Sequence, residues 1–267
     1  AGSGMGRTLA ASLAGRGCHL AISDVNEIGL AETARSCAER GVKVTSKKVD
    51  VASRDQVYAW ADEVVRDHGR CNLIFNNAGV AHSATVEGVS YEDFDWIFGI
   101  NFWGVVYGTK AFLPHLKAAG EGHVINTSSL FGLIGVPTQA TYNATKFAVR
   151  GFTEALREEL EMTRSPVSAT CVHPGGIKTN IARAARVSES VKSIGVKDVE
   201  KGRESFERMF RVTAEDAAET ILRGVQRNAR RVLIGADARF LDVMQRLIPG
   251  SYHGLVAAAT RRAMSRV

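Results

Sequence analysis

One stretch of this chain, Asn126 to Lys146 (NTSSLFGLIGVPTQATYNATK), carries two hydroxyls and an amine at separations that could do acid–base chemistry. Tyr142 follows Ser129 by 13 residues and precedes Lys146 by 4. Residues four apart on a helix share a face, so the Lys146 ammonium can lie beside the Tyr142 phenol. A phenol ordinarily titrates at about pH 10, and a neighbouring cation favours the phenolate and lowers that value. Ser129 can donate a hydrogen bond to a substrate oxygen from across a pocket. Together these groups could polarise a carbonyl or take the proton from an alcohol. A tyrosine four residues before a lysine also arises by chance on exposed helix faces, so the weight falls on the elements around it.

The chain opens with AGSGMGR, a glycine-rich turn running into the helical pattern RTLAASLAGRG. Gly2, Ser3, Gly4, Met5 and Gly6 form that turn. Its glycines let backbone approach a pyrophosphate, and the helix start offers free N–H groups. CHLAISD then reads as a buried strand ending in Asp24. A carboxylate at this strand end can accept hydrogen bonds from both ribose hydroxyls and would repel a 2′-phosphate. The other reading of Asp24 is a cap for the helix that follows. GVKVTSKKVDV gives a strand ending in Asp50 and Val51, where Asp50 can equally cap a turn. CNLIFNNAG reads as a strand and tight turn through Asn76, Asn77, Ala78 and Gly79. A long helix, YEDFDWIFGINFWGVVYGTKAFLPHLKAAG, holds Asn101 inside its apolar stripe, and Pro114 should kink or end it. GHVINTSS is a strand delivering Ser129 at its carboxyl end, where open parallel sheets gather their ligands. Tyr142 and Lys146 begin the next helix. PVSATCVHPGGIKTN is a strand with its exit loop. RRVLIGA is the last strand.

The sequence S-x12-Y-x3-K, with the glycine turn, N-N-A-G and P-G-x-x-x-T in order, resembles the short-chain dehydrogenase/reductase family. The resemblance covers nearly all of residues 1 to about 236. It implies a doubly wound, Rossmann-like parallel α/β fold and reversible hydride transfer at a nicotinamide. It favours Ser129 over its local rival Ser128. It assigns Tyr142 as general acid/base, Ser129 as holder of the substrate oxygen, Lys146 as partner of the nicotinamide ribose, and Asn101 as part of a water relay to Lys146. It places Asp50 and Val51 beside adenine and Asn77, Ala78 and Gly79 against the cofactor. In the loop after His173 it brings in Pro174 and Gly175, and gives Ile177 and Thr179 the nicotinamide amide. NADP users of the family often carry a basic residue where this chain has Ser3 and Val25, so NAD is favoured over NADP. The family's leading Thr-Gly and the strand before it are missing, and we expect residues upstream of Ala1. The irregular, charged stretch 181–211 is expected to be a substrate lid. Phe206, Met209 and Phe210 within it either line an apolar pocket or are ordinary packing.

Length and composition bound the rest. At 267 residues with no repeat or linker, one domain is expected, with a C-terminal helical extension over 237–267. No run is long enough to span a bilayer and no signal peptide is evident, so a cytoplasmic location is expected. Cys18, Cys37, Cys71 and Cys171 are scattered, which fits reduced thiols and no metal site. The net charge is +6, with many arginines late in the chain (Arg223 to Arg266), but spread over helices and a strand rather than gathered in a nucleic-acid motif. In the extension, Phe240, Val243, Met244 and Leu247 share one helical face. That face packs on a neighbouring subunit or the site rim, or else rests on an anionic membrane surface. A homodimer or homotetramer acting on a small-molecule alcohol or ketone is expected. The alternatives are a 3-oxoacyl thioester reductase and, from another class, a non-catalytic NAD-binding scaffold or membrane-associated protein.

Overall fold

The apolar runs that precede each polar motif become parallel strands buried between helical layers, because a strand covered on both faces must be apolar on both. In the computed structural model, residues 1–196 and 198–264 are described. Lys197, within the expected lid, and residues 265–267, including Arg266 at the end of the expected extension, lie outside the described residues. The main sheet has four parallel strands in the order β3 (Leu73–Asn76), β5 (Gly122–Thr127), β6 (Val167–Pro174), β8 (Arg231–Ile234). A second parallel pair joins β1 (Leu20–Asp24) to β2 (Val44–Lys48). No backbone ladder joins β1 to β3; side chains do that work. Leu20 and Ile22 of β1 share one core cluster with Ile125 of β5, Val172 of β6 and Val232 of β8.

Helices cover both faces. On one side lie α1 (Gly4–Ala14), α2 (Glu27–Ala38) and α8 (Ala214–Gln226), which contribute Leu9, Leu13, Leu30, Ile221 and Leu222 to that cluster. On the other lie α3 (Arg54–His68), α5 (Gly104–Ala118) and α6 (Ala140–Met162), which bury Val57, Phe112, Leu116, Leu156 and Leu160. This is the doubly wound α/β architecture, with all ladders parallel and the strand ends of β1, β3, β5 and β6 opening on one edge. No helix among the described residues is long and apolar enough to cross a membrane.

Three elements depart from the sequence expectation. The expected long helix is α4 (Tyr91–Phe98), a π turn over Gly99–Trp103, and then α5. A π turn inserts one residue into the helix and is common where a side chain must be aimed; here the fully buried Asn101 is that side chain. Pro114 does not end α5, which runs on to Ala118. It lies late in the helix on the exposed face, where water can satisfy the carbonyl that its missing N–H would have bonded. The stretch 181–211 is more regular than its charges suggest. It holds β7 (Arg186–Val187), paired with β4 (His82–Ser83), a short 3₁₀ turn over Glu189–Ile194, and α7 (Val199–Glu207).

The extension forms α9 (Ala236–Leu247) and α10 (Tyr252–Met264). Asp242, buried, accepts Arg231 of β8 at 2.7 Å and Arg246 at 3.2 Å, which fastens α9 to the sheet. Its inner face is Ala238, Leu241 and Met244, packed with Tyr252 over Leu130 and Leu133. Of the four residues expected on one apolar face, Met244 turns inward, while Phe240, Val243 and Leu247 are exposed.

Candidate active site

The chain converges at the carboxyl end of β5. Ser129 follows the strand by two residues in extended backbone, and its Oγ accepts from the Phe131 N–H at 3.1 Å, capping the 3₁₀ turn Leu130–Gly132. Its neighbour Ser128 is spent differently: the Ser128 hydroxyl donates to the Lys146 carbonyl at 2.7 Å. A Cβ on Gly132 would fall 2.3 Å from Ser128 Oγ and 2.7 Å from that carbonyl, so a glycine is required for the turn and α6 to meet. Behind Ser129, the buried His173 ring contacts its carbonyl at 3.0 Å through Nδ1. Burial pushes the His173 pKa down to about 4, so it is a neutral, structural imidazole.

Tyr142 and Lys146 begin α6, one turn apart, as their spacing requires. The Lys146 Nζ sits 5.6 Å from the centre of the Tyr142 ring and donates to the Thr127 carbonyl at 3.0 Å. Burial pushes the Tyr142 phenol above its ordinary value, opposed by a hydrogen bond with Ser129. Burial also lowers Lys146, to about 8. The expected lowering of the phenol is therefore not found: desolvation dominates, opposed by the Ser129 hydrogen bond.

Asn101 reaches the same place from the π turn. Its Oδ1 accepts from Val80 N–H at 2.8 Å, and its Nδ2 donates to the Val80 carbonyl at 2.9 Å and to Thr145 Oγ1 at 3.3 Å. A Cβ on Gly79 would stand 3.3 Å from Asn101 Oδ1 and 3.4 Å from Lys146 Nζ, so Asn101 and Lys146 flank the N-N-A-G backbone. Asn76 is structural: it donates to Asn126 at 2.8 Å and to Thr109 at 3.1 Å. Asn77 lies over Thr127, whose hydroxyl is 3.5 Å from its Oδ1. Ala78, exposed, completes the turn.

A cleft of about 370 Å³ lies at the start of α1, lined by Gly2, Ser3, Gly4, Arg7, Asn26, Ile28, Gly29, Glu32 and Asn180. Asp24 at the end of β1 accepts from Gly2 N–H at 2.7 Å and Asn26 N–H at 2.9 Å. Burial pushes its carboxyl up, and the hydrogen bonds from Asn26 and Gly2 pull it down. It does not cap α2; Asn26 does, accepting from Gly29 N–H at 3.1 Å. Gly4 has a positive φ of 51°, and a Cβ there would press on Thr179 at 3.2 Å, so the glycine turn and the loop after β6 touch. Met5 and Gly6 sit in the first turn of α1. Arg7 is committed to the Gly2 carbonyl at 2.6 Å and Glu32 at 2.9 Å. Asp50 closes its own turn, accepting from Ala52 N–H at 2.9 Å, and Val51 packs under Gly104; neither lines the cleft.

Pro174, buried, ends β6, and the loop after it carries Gly175, Ile177, buried, and Thr179. It holds a residue the sequence reading missed. Asp237, in the first turn of α9, accepts from Gly176 N–H at 2.7 Å. A Cβ on Gly175 would be 2.1 Å from its Oδ1. A single carboxylate sixty residues away gives no local signal; only the packing of α9 over β6 and β8 brings it there. Among the described residues, no cluster of three or more His, Cys, Asp or Glu side chains could hold a metal ion.

A site with this glycine turn, strand-end carboxylate and Ser–Tyr–Lys arrangement fits a dinucleotide with a reacting carbonyl or alcohol beside it. The short chain dehydrogenase family model matches residues 1–190. The protein SadH of Mycobacterium tuberculosis (strain ATCC 25618 / H37Rv), an oxidoreductase by name, is 48% identical over 98% of this chain and 93% of its own length. A short-chain dehydrogenase/reductase from Burkholderia phymatum, solved in complex with NAD, is 28% identical, with a TM-score of 0.85 over 92% of this chain and 90% of that one. An alcohol dehydrogenase from Thermococcus sibiricus, complexed with 5-hydroxy-NADP, shares the fold at 23% identity and a TM-score of 0.72, over 87% of this chain and 92% of that one. The chain belongs to the short-chain dehydrogenase family, whose members are oxidoreductases that work with a nicotinamide dinucleotide.

Proposed function

We propose that this protein is an NAD-dependent oxidoreductase that interconverts a secondary alcohol and a ketone. The observation that carries the reading is the meeting of Ser129, Tyr142, Lys146 and Asn101 at the carboxyl end of β5, with the glycine turn beside it, where Gly6 comes against Asn77 and Gly4 against Thr179. Gly2, Ser3, Gly4, Met5 and Gly6 would hold the pyrophosphate, and Asp24 the adenosine ribose. Asp50 and Val51 would border the adenine, and Asn77, Ala78 and Gly79 would support the middle of the dinucleotide. Pro174, Gly175, Ile177 and Thr179 would hold the nicotinamide amide, and Lys146 its ribose. When bound, the cofactor supplies the hydride acceptor or donor. Two features support NAD over NADP. Asp24 is a partly buried carboxylate, held by the Gly2 and Asn26 N–H groups, at the strand end where a 2′-phosphate would fall, and Arg7 is already engaged by Glu32.

The chain's own residues handle the proton. Tyr142, raised by burial, is a phenol at neutral pH and can give its proton to a carbonyl oxygen. In the oxidising direction Tyr142 would first release its own proton towards solvent through the Lys146 and water relay, and the phenolate so formed, favoured by the Lys146 charge, would take the alcohol proton. Ser129 holds the same oxygen from the other side. Asn101 positions the backbone around Lys146 and, through water, would link it to solvent. The four free cysteines support a reducing, cytoplasmic setting.

Replacing Tyr142 by Phe removes the proton carrier and keeps the ring. Turnover of secondary alcohols with NAD is expected to vanish while calorimetry still shows NAD binding. Retained turnover would refute the assignment, and tighter binding of NADP than NAD would overturn the reading of Asp24.

A further inference from the structure

A row of aromatic rings runs from Tyr142 into the lid. Phe131, two residues beyond Ser129, meets the Tyr142 ring edge-on at 6.1 Å. Phe206 of α7 lies 6.4 Å from Phe131, and Phe210 stands edge-on to Phe206 at 5.0 Å. The far end of the row returns to the site, because a Cβ on Gly176 would fall 2.9 Å from Phe210 Cδ1. Both ends of the row are therefore walls of the reaction centre: Tyr142 on one side and the loop after β6 on the other. The segment is tied at each end as well. β7 pairs with β4, and the Arg211 and Val212 N–H groups donate to the Gly176 carbonyl at 3.2 and 3.3 Å.

α7 has no buried residue, so its apolar side chains do not serve the core. Phe206 is 38% exposed and Met209 59% exposed. The charges of α7 are used locally: Lys201 pairs with Asp198, Arg203 with Glu200, Arg208 with Glu204, and Glu207 with Arg183. What the helix presents beside Tyr142 is aromatic surface rather than free charge. Such a wall rewards a substrate that covers it and gives nothing to a small one. Arg203 Nε is buried without a partner, so a carboxylate-bearing alcohol is the rival that an experiment must exclude.

We infer that Phe206 of α7, with Phe210 just beyond that helix and Phe131 after β5, selects bulky, apolar, ring-bearing secondary alcohols and ketones, with Phe206 as the specificity-determining side chain. This rests on the reaction proposed above. The test compares the whole chain on secondary phenylethanol, isopropanol and mandelate, each with NAD and NADP. The value of kcat/KM for phenylethanol is expected to exceed that for isopropanol by about tenfold or more, as loss of apolar pocket contacts costs at least that. Mandelate, which adds a carboxylate to the same ring, should be the poorer substrate. Phe206→Ala should reduce the phenylethanol-to-isopropanol ratio by about tenfold, and Phe206→Trp should restore most of it. A ratio unchanged by Phe206→Ala, or a preference for mandelate, overturns the inference.

A second arm does not need turnover. Acetophenone and acetone are compared for their shift of the melting temperature of the Tyr142→Phe protein with NAD present. A shift by acetophenone alone, lost on adding Phe206→Ala, supports the pocket. Equal shifts overturn it. Binding of acetophenone through Phe206 with no alcohol turned over by the unmodified protein would sink the reaction and leave the pocket standing.

Discussion

Ser128 and Ser129 are adjacent hydroxyls with separate tasks, because successive side chains of extended backbone point to opposite faces. Ser128 faces α6 and is bonded, buried, to the Lys146 carbonyl; Ser129 faces Tyr142. Ser128→Ala is expected to lower the unfolding free energy by about 1 kcal/mol, a typical net value for a buried hydrogen bond, with turnover little changed. Ser129→Ala, which also loses the cap on the Phe131 N–H, should cost a similar amount of stability but cut turnover on the order of a hundredfold, since an aimed donor on the reacting oxygen is lost. Urea titrations and steady-state rates on both variants decide the matter. The opposite pattern of rates would make Ser128 the substrate-facing hydroxyl. The thirteen-residue spacing pointed to Ser129, but only the burial of Ser128 against α6 shows why its neighbour cannot take the role.

At the scale of elements, α9 does more than cover the core. It begins with Asp237, which holds the Gly176 N–H, and it is anchored through Asp242 to Arg231 of β8. If the loop after β6 holds the nicotinamide, Asp237→Ala should weaken NAD binding by about tenfold, the scale of losing one charge-assisted hydrogen bond. ADP-ribose, which has no nicotinamide, should bind as before, and Asp237→Asn, still an acceptor, should recover most of the affinity. Calorimetry with the two ligands separates this from a general loss of structure, which would weaken both alike. The π turn before α5 is likewise a device of position. It aims Asn101 at Val80 and Thr145 from within an otherwise continuous helix.

Across the whole molecule, three buried imidazoles make stability depend on pH; burial lowers His82, and it lowers His123 and His173 furthest. His123 contacts Thr170 at 2.7 Å, and His173 contacts the Ser129 carbonyl. Burial lowers each pKa from 6.5 to about 4. Below pH 6.5 the unfolded chain takes up these protons, while the folded chain does so only near pH 4, so stability falls as the pH drops through that window. Between pH 7 and pH 5 the loss should be about 2 kcal/mol each for His123 and His173. Urea unfolding at the two pH values checks this, and equal free energies would show that the histidines are not neutral in the fold.

The sequence by itself determined the order of strands and helices, the convergence of strand ends, and the family, since each rests on local periodicity or on motifs within a few residues. Tyr142 and Lys146 on one helix face needed no tertiary information. The tertiary structure alone decided which groups act at a distance. Desolvation, a property of the packed interior, set the balance between the Tyr142 phenol and the Lys146 ammonium against the simple expectation from their spacing. Packing of α9 over the sheet carried Asp237 to Gly176, and the folding of α7 over Phe131 turned Phe206 and Phe210 from an ambiguous apolar pair into a wall of the site. Contacts between residues tens of positions apart leave no periodic trace in a chain, which is why they appear only once it is folded.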